Sequence, residues 1–235
     1  MRYLRCLLLL LIIFPLFVSA TIIKLQIDGP IDTITEEYIG DHFENIIKLE
    51  NIKLVIIELD TPGGFDTSMR AIIKNILNSS APVAVYVSPR GARAASAGFF
   101  ITISADIASM APGTNMGAAS PVAISGQKIE ETMKKKITND AVSYARSLAK
   151  SRNRNQELSE KAVRESKSYT AGECLKSRLI EYIAEDIEHL IRQLEGQEIT
   201  MTNGEKKTLN LRGEAIETLS QKNSQPGWRK CDWQR

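Results

Sequence analysis

Histidine is almost missing from this chain: only His42 and His189 occur among its 235 residues. That scarcity leaves little material for a serine–histidine–aspartate triad. Cysteine is equally sparse. Cys6, Cys174 and Cys231 have neither metal-ligand nor redox-motif spacing, so no metal or cofactor is expected. Charge of one sign is lacking as well: 30 basic residues face 28 acidic ones, a balance that points to neither nucleic acid nor a strongly acidic partner. Long apolar runs are confined to one place. Cys6 to Val18 is short of the roughly 20 residues a membrane span needs. Arg2 and Arg5 precede it and Val18-Ser19-Ala20 follows, so residues 1–20 read as an export signal, with an uncleaved anchor as the alternative. The mature chain is then expected outside the cytoplasm: secreted, periplasmic or membrane-associated. Cys174 and Cys231 remain after cleavage, paired or free.

What the chain does have is alternation. Thr21 to Ile27 reads as a first strand, ended by Asp28-Gly29-Pro30. Thr33 and Glu36 have capping-box spacing ahead of a helix striped by Ile34, Tyr38, His42 and Ile46. His42 lies in that stripe and reads as a packing residue. Lys53 to Leu59 is a short apolar run typical of a strand buried on both faces, and Asp60-Thr61-Pro62-Gly63-Gly64 turns sharply out of it. Met69, Ile72, Ile73, Ile76 and Leu77 stripe a second helix. Val83 to Val87 is another buried strand, Ala94 to Ile103 a helix and Ile107 to Met110 a short strand. Asn115 to Glu131 has no period and reads as a loop. Ile137, Ala141, Tyr144, Ala145 and Leu148 stripe the next helix. Short helices at Leu158–Glu165 and Ala171–Ser177, a strand at Ile180–Ile183 and a helix carrying Ile187, Leu190, Ile191 and Leu194 complete the pattern. This is an α/β domain with a largely parallel sheet. It is expected to span residues 21–195, with residues 196–235 as a C-terminal tail. The tail offers a hairpin around Asn203-Gly204 and a polar end carrying Trp228 and Trp233.

In parallel sheets, sites form beyond the carboxyl ends of the strands. Two unusual stretches fall there. Gly91-Ala92-Arg93-Ala94-Ala95-Ser96-Ala97-Gly98 places one hydroxyl among very small side chains, which leaves it open to a substrate carbonyl. Alone, such a run equally marks close helix packing. Gly63-Gly64 permits backbone N–H groups to converge on a developing oxyanion, and the amide after the serine, at Ala97, is a natural second donor. A plain tight turn is the rival reading of that glycine pair. A serine needs a base. With histidine so scarce, a lysine neutralised by burial can serve. Among Lys134-Lys135-Lys136, Lys136 adjoins Ile137 at the head of the apolar stripe and is expected to turn toward the core. The same three residues also read as a solvated charge run, and composition alone does not separate Lys136 from Lys135.

The order of these stretches resembles the NfeD-type, long-form membrane-associated serine proteases of the ClpP/crotonase superfamily. The resemblance lies in Glu58 to Gly64, Gly91 to Gly98, Met110-Ala111-Pro112-Gly113-Thr114 with Met116-Gly117-Ala118, and Lys136-Ile137-Thr138-Asn139 followed by Tyr144 and Ser147-Leu148-Ala149. It covers roughly residues 21–195. It implies a ClpP/crotonase-like fold, Ser96 as nucleophile and Lys136 as general base. It also implies Gly63 and Gly64, chiefly Gly64, as the oxyanion turn with Ala97 as partner. The implied substrates are hydrophobic stretches of proteins, stomatin-like membrane proteins among them, and the implied assembly is a homo-oligomer, a dimer or higher. Long-form relatives continue into membrane spans and a small β-barrel domain. The chain is therefore expected to be a truncated long form, an isolated protease part or a short secreted form, with residues 196–235 a tail that stops before the membrane spans. Two rivals stand beside the protease: a degenerate module that binds a membrane partner, and a crotonase-like acyl-CoA enzyme, which an export signal disfavours.

Overall fold

The computed structural model describes residues 22–220 apart from 47, 49, 50, 123–129 and 203. The expected export signal and the polar end from Gln221 onward lie outside the described residues. In chain order the elements are β1 (Ile22–Asp28), α1 (Thr33–Ile46), β2 (Leu54–Asp60), α2 (Asp66–Leu77), β3 (Val83–Val87), β4 (Arg93–Ala95), α3 (Ala97–Ser104), β5 (Ile107–Met110) and β6 (Asn115–Gly117). They continue with α4 (Glu131–Ser151), α5 (Gln156–Arg164), β7 (Ser168–Thr170), α6 (Ala171–Lys176), β8 (Tyr182–Ile183), α7 (Ile187–Leu194), β9 (Glu198–Thr200), β10 (Lys206–Thr208) and β11 (Ile216–Ser220).

Six strands form one sheet in the order β11-β1-β2-β3-β5-β8, and every neighbouring pair is parallel. Alternate residues feed two cores. Ile23, Leu25, Val55, Ile57, Val83 and Val85 face the layer that includes α1, α2 and α3. Ile22, Leu54, Ile56, Ala84 and Tyr86 face the other side, covered by α7 and by Leu209 and Leu211. Because both faces are covered, the central strands are apolar throughout rather than alternating, as β3 shows with all five residues buried. A second sheet, β4-β6-β7, stands at the carboxyl end of β2, where Thr61 bridges to Ala94.

Several expectations are corrected. The capping box at Thr33 and Glu36 is not formed; Asp32 caps α1, its Oδ1 accepting the Thr35 amide at 2.9 Å, because a carboxylate one residue earlier reaches the first free N–H groups. Asn115–Gly117, read as loop, is a strand between β4 and β7. The helix read over Ala94 to Ile103 starts three residues later, with β4 occupying its expected first turn. Residues 216–220, expected in the tail, run along the open edge of β1. Tyr38 holds them there: its hydroxyl accepts the Gln26 amide at 3.1 Å and donates to the Leu219 carbonyl at 2.6 Å.

Candidate active site

Ser96 sits between β4 and α3, at the N-cap of the helix, with φ 52° and ψ −113°. A non-glycine residue with positive φ is held against its own preference. Three contacts hold it. Its amide donates to the Gly117 carbonyl at 2.8 Å. The Ala95 amide before it donates to the Thr61 carbonyl at 3.1 Å. Its own carbonyl accepts the Phe99 amide at 3.0 Å. A serine on a sharp strand-to-helix turn is lifted out of the backbone path, and the Ser96 hydroxyl makes no capping bond to α3. Ser96 is half-buried, whereas Ala97 and Gly98 behind it are buried.

The glycine turn lies directly against this serine. A Cβ on Gly63 would stand 2.6 Å from Ser96 Cβ and 3.1 Å from its Oγ, so only glycine admits the approach. Gly63 also has φ +114°. Gly64 crosses the chain after β1, pinned on both sides. Ile31 donates to the Gly63 carbonyl at 2.9 Å, and the Phe65 amide donates to the Ile31 carbonyl at 2.8 Å. The structure thus brings Gly63, Gly64, Ser96 and Ala97 together. It separates the two glycines in role. The Gly63 amide is engaged, donating to Thr61 Oγ1 at 3.1 Å, so Gly63 supplies the shape of the turn and is corrected as an oxyanion donor. Gly64 is exposed beside it.

Lys136 is placed differently from the expectation. Residues 131–137 of α4 are all exposed, and the buried side of the helix begins at Ala141. The turn of Lys136 toward the core is therefore corrected: among the described residues, side chains 131–137 of α4 are left exposed. The helix is tethered further along. Tyr144 stacks on Phe100, ring centroids 5.9 Å apart; Arg70 lies 4.4 Å over the Tyr144 ring and pairs with both Asp66 and Asp140. These contacts run from the middle of α4 toward the start of α2, the end that follows Gly64. Lys136 is one turn of α4 before Asp140.

Neither histidine joins Ser96. His189 is on α7, across the sheet from α3, its Nδ1 accepting the Glu185 amide at 3.3 Å. His42 packs edge-on against Tyr38, centroids 4.9 Å apart, and its buried Nδ1 has no hydrogen-bond partner among the described residues. Burial, opposed in part by Asp41, holds its ring below the ordinary histidine range. Cys174 is buried and, among the described residues, free, its thiol pushed up to about 12 by burial. Among the described residues, no group of three or more His, Cys, Asp or Glu side chains could hold a metal ion. No described helix is long and apolar enough to cross a membrane. A cleft of about 620 Å³ lies away from the serine, lined among others by Lys24, Glu58, Tyr86 and Asp186. Sequence reading also missed the support of α3. Arg154, 4% exposed, donates from Nη1 to the Ile103 and Ala105 carbonyls at 2.9 and 2.8 Å, and it forks onto Glu181 at 2.9 and 2.6 Å.

A parallel α/β sheet, with a strained serine facing a glycine corner at its carboxyl end, defines a ClpP-like fold. The model of the NfeD1b N-terminal domain matches residues 21–203, and this chain belongs to that family. It is 36% identical over 210 residues to the membrane-bound protease PH1510 of Pyrococcus horikoshii, covering 88% of this chain and 47% of that protein. It is 43% identical over 68 residues to membrane protein NfeD1b of Bacillus subtilis, covering 29% and 15% respectively. The chain therefore spans less than half the length of either curated relative. Among solved structures, a serine-to-alanine mutant of the 1510-N membrane-bound stomatin-specific protease matches with a TM-score of 0.78 at 35% identity, covering 86% of this chain and 98% of that one. A lysine-to-alanine mutant of the same protease, in complex with a substrate peptide, matches with a TM-score of 0.77 at 33% identity, covering 86% and 92%.

Proposed function

We propose that this chain is an exported, membrane-associated serine endopeptidase that cuts hydrophobic segments of a stomatin-like protein through a Ser96–Lys136 dyad. The observation that carries the reading is Ser96 itself, held at φ 52° against the Gly63 backbone. Support comes from the solved relatives, a stomatin-specific protease studied as serine and lysine mutants. The composition of residues 1–20 supports export.

In this reading Lys136, in its neutral form, takes the proton from Ser96 as the hydroxyl attacks the peptide carbonyl. The Gly64 and Ala97 amides receive the oxyanion, the amine leaves with the proton, and water releases the acyl group. Lys136 is exposed in the single chain, so the dyad forms when substrate or a second copy in a homo-oligomer covers residues 131–137 and strips water from the ammonium. Because only a neutral lysine acts as base, cleavage rises with pH into the alkaline range.

The test is cleavage of apolar membrane-segment peptides by the purified protein, compared with Ser96→Ala and Lys136→Ala. Loss of activity by several orders of magnitude in both variants is expected. Loss in Ser96→Ala alone moves the base to Lys134 or Lys135. An inactive wild type that still captures a stomatin-like protein replaces the peptidase with a binding module.

A further inference from the structure

We infer that Thr61 is a positioning residue that holds the two arms of the oxyanion site at a fixed separation. The inference rests on the peptidase reading and deepens it. Thr61 follows β2 and is fully buried, 0% exposed, and each part of it touches a different piece of the site. Its amide donates to the Arg93 carbonyl at 2.8 Å and its carbonyl accepts the Ala95 amide at 3.1 Å, which clips it to the strand that ends at Ser96. Its Oγ1 accepts the Gly63 amide at 3.1 Å, which closes the glycine turn. Its Cγ2 methyl stands where a Cβ on Gly98 would come within 2.4 Å, so it packs on the first turn of the helix that presents the Ala97 amide. Thr61 therefore holds the Ala97 arm through its backbone bonds to β4 and the Gly64 arm through its hydroxyl, while its methyl fills the space beside Gly98.

The chemistry makes this spacing matter. Oxyanion donors act when they stand about 2.7–3.1 Å from the oxygen as it becomes charged. A threonine hydroxyl bonded to an amide two residues on is a local turn device. Without it the Gly63 N–H is buried with no acceptor, and the peptide rotates toward another partner, carrying the Gly64 amide away from the oxyanion position. The substrate still binds, because the lost geometry is that of the transition state rather than the ground state.

The experiment is steady-state cleavage of an apolar peptide by the full chain and by Thr61→Val and Thr61→Ser, with thermal melts of each. Valine keeps the branch and methyl but has no acceptor; serine keeps the acceptor. Thr61→Val is expected to lose about 10- to 100-fold in kcat with KM unchanged, the scale on which a misplacement of about 1 Å acts, and Thr61→Ser to retain kcat within about 3-fold. Unchanged kcat in Thr61→Val, or equal losses in both variants, overturns the inference. If Thr61→Val does not fold, Gly98→Ala takes its place: its new Cβ drives Thr61 out of position and lowers kcat. Adding Thr61→Ser, which removes the obstructing methyl, is expected to restore kcat, and failure to restore it overturns the inference. A wild type that cleaves nothing overturns the peptidase reading, and this inference with it. That outcome is distinct from an active wild type with an equally active Thr61→Val.

Discussion

Ser96 and His42 show how single residues in one layer are given opposite fates. Ser96 is strained and kept near the surface; His42 is relaxed on a helix and sunk against Tyr38 with a nitrogen unpartnered among the described residues. The histidine makes a pH prediction. Burial lowers its folded-state pKa, so the unfolded chain takes up the proton first. The stability contributed by the neutral ring is complete above about pH 6.5, the ordinary histidine value, and is lost as the pH falls from there toward the lowered value. Thermal melts of wild type and His42→Phe between pH 7.5 and 5 check this. The melting temperature of the variant is expected to fall less over that interval; equal slopes would show that His42 does not couple to folding.

Among the elements, the crossing of the Gly63–Gly64 turn over the chain after β1 is the least tolerant. A Cβ on Gly64 would fall 2.0 Å from the Ile31 carbonyl oxygen and 2.6 Å from its carbon. Both are backbone atoms and cannot rotate away. Gly64→Ala is expected to displace the turn and lower peptide cleavage by about 100-fold, the cost of a misplacement near 1 Å, with the loss read as turnover at saturating peptide. The elements also show what the sequence reveals. Val83–Val87 is visible in full because a strand buried on both faces needs five apolar residues in a row. The helix of Met69, Ile72, Ile73 and Ile76 is visible because all four face one core. The strands β4, β6 and β7 have three residues each, too few for any period to emerge. Ser96 and the glycines stand out by residue type. The exposure of Lys136 does not, because an apolar neighbour such as Ile137 implies a packed face, and Ile137 is itself 38% exposed. Thr61 is hidden in its motif: a buried hydroxyl and a plain turn residue look alike until its acceptor role is seen.

At the scale of the whole molecule, two arginine–carboxylate pairs, one of them buried on both sides, join the helical layer to the sheet. Arg154 ties Glu181 to the end of α3, Glu181 Oε2 also accepts the Ala108 amide at 2.7 Å, and Arg152 pairs with Asp106 at 2.7 Å with both side chains buried. Removing one member of such a pair strands a charge away from water. Arg152→Ala, which leaves Asp106 buried and without its ion-pair partner, is expected to cost about 3–5 kcal/mol in urea unfolding, whereas Arg154→Ala, whose partner Glu181 is reached by solvent, is expected to cost less. Nothing in the spacing of Arg152 and Arg154 announces this, since two arginines between helices read as a solvated loop.

The pairing of β11 with β1 reaches beyond the finished molecule to its synthesis. Tyr38 and Leu219, which lock that edge, are 181 positions apart. At about 5–20 residues per second on the ribosome, roughly 10–40 s pass between their appearances. For that time β1 offers an unpaired edge, with Ile22, Ile23 and Leu25 beside open N–H and C=O groups, to any extended chain nearby. The nascent protein is therefore a natural client for whatever shields new chains, and among the described strands the first to be made waits for the final one to close its edge.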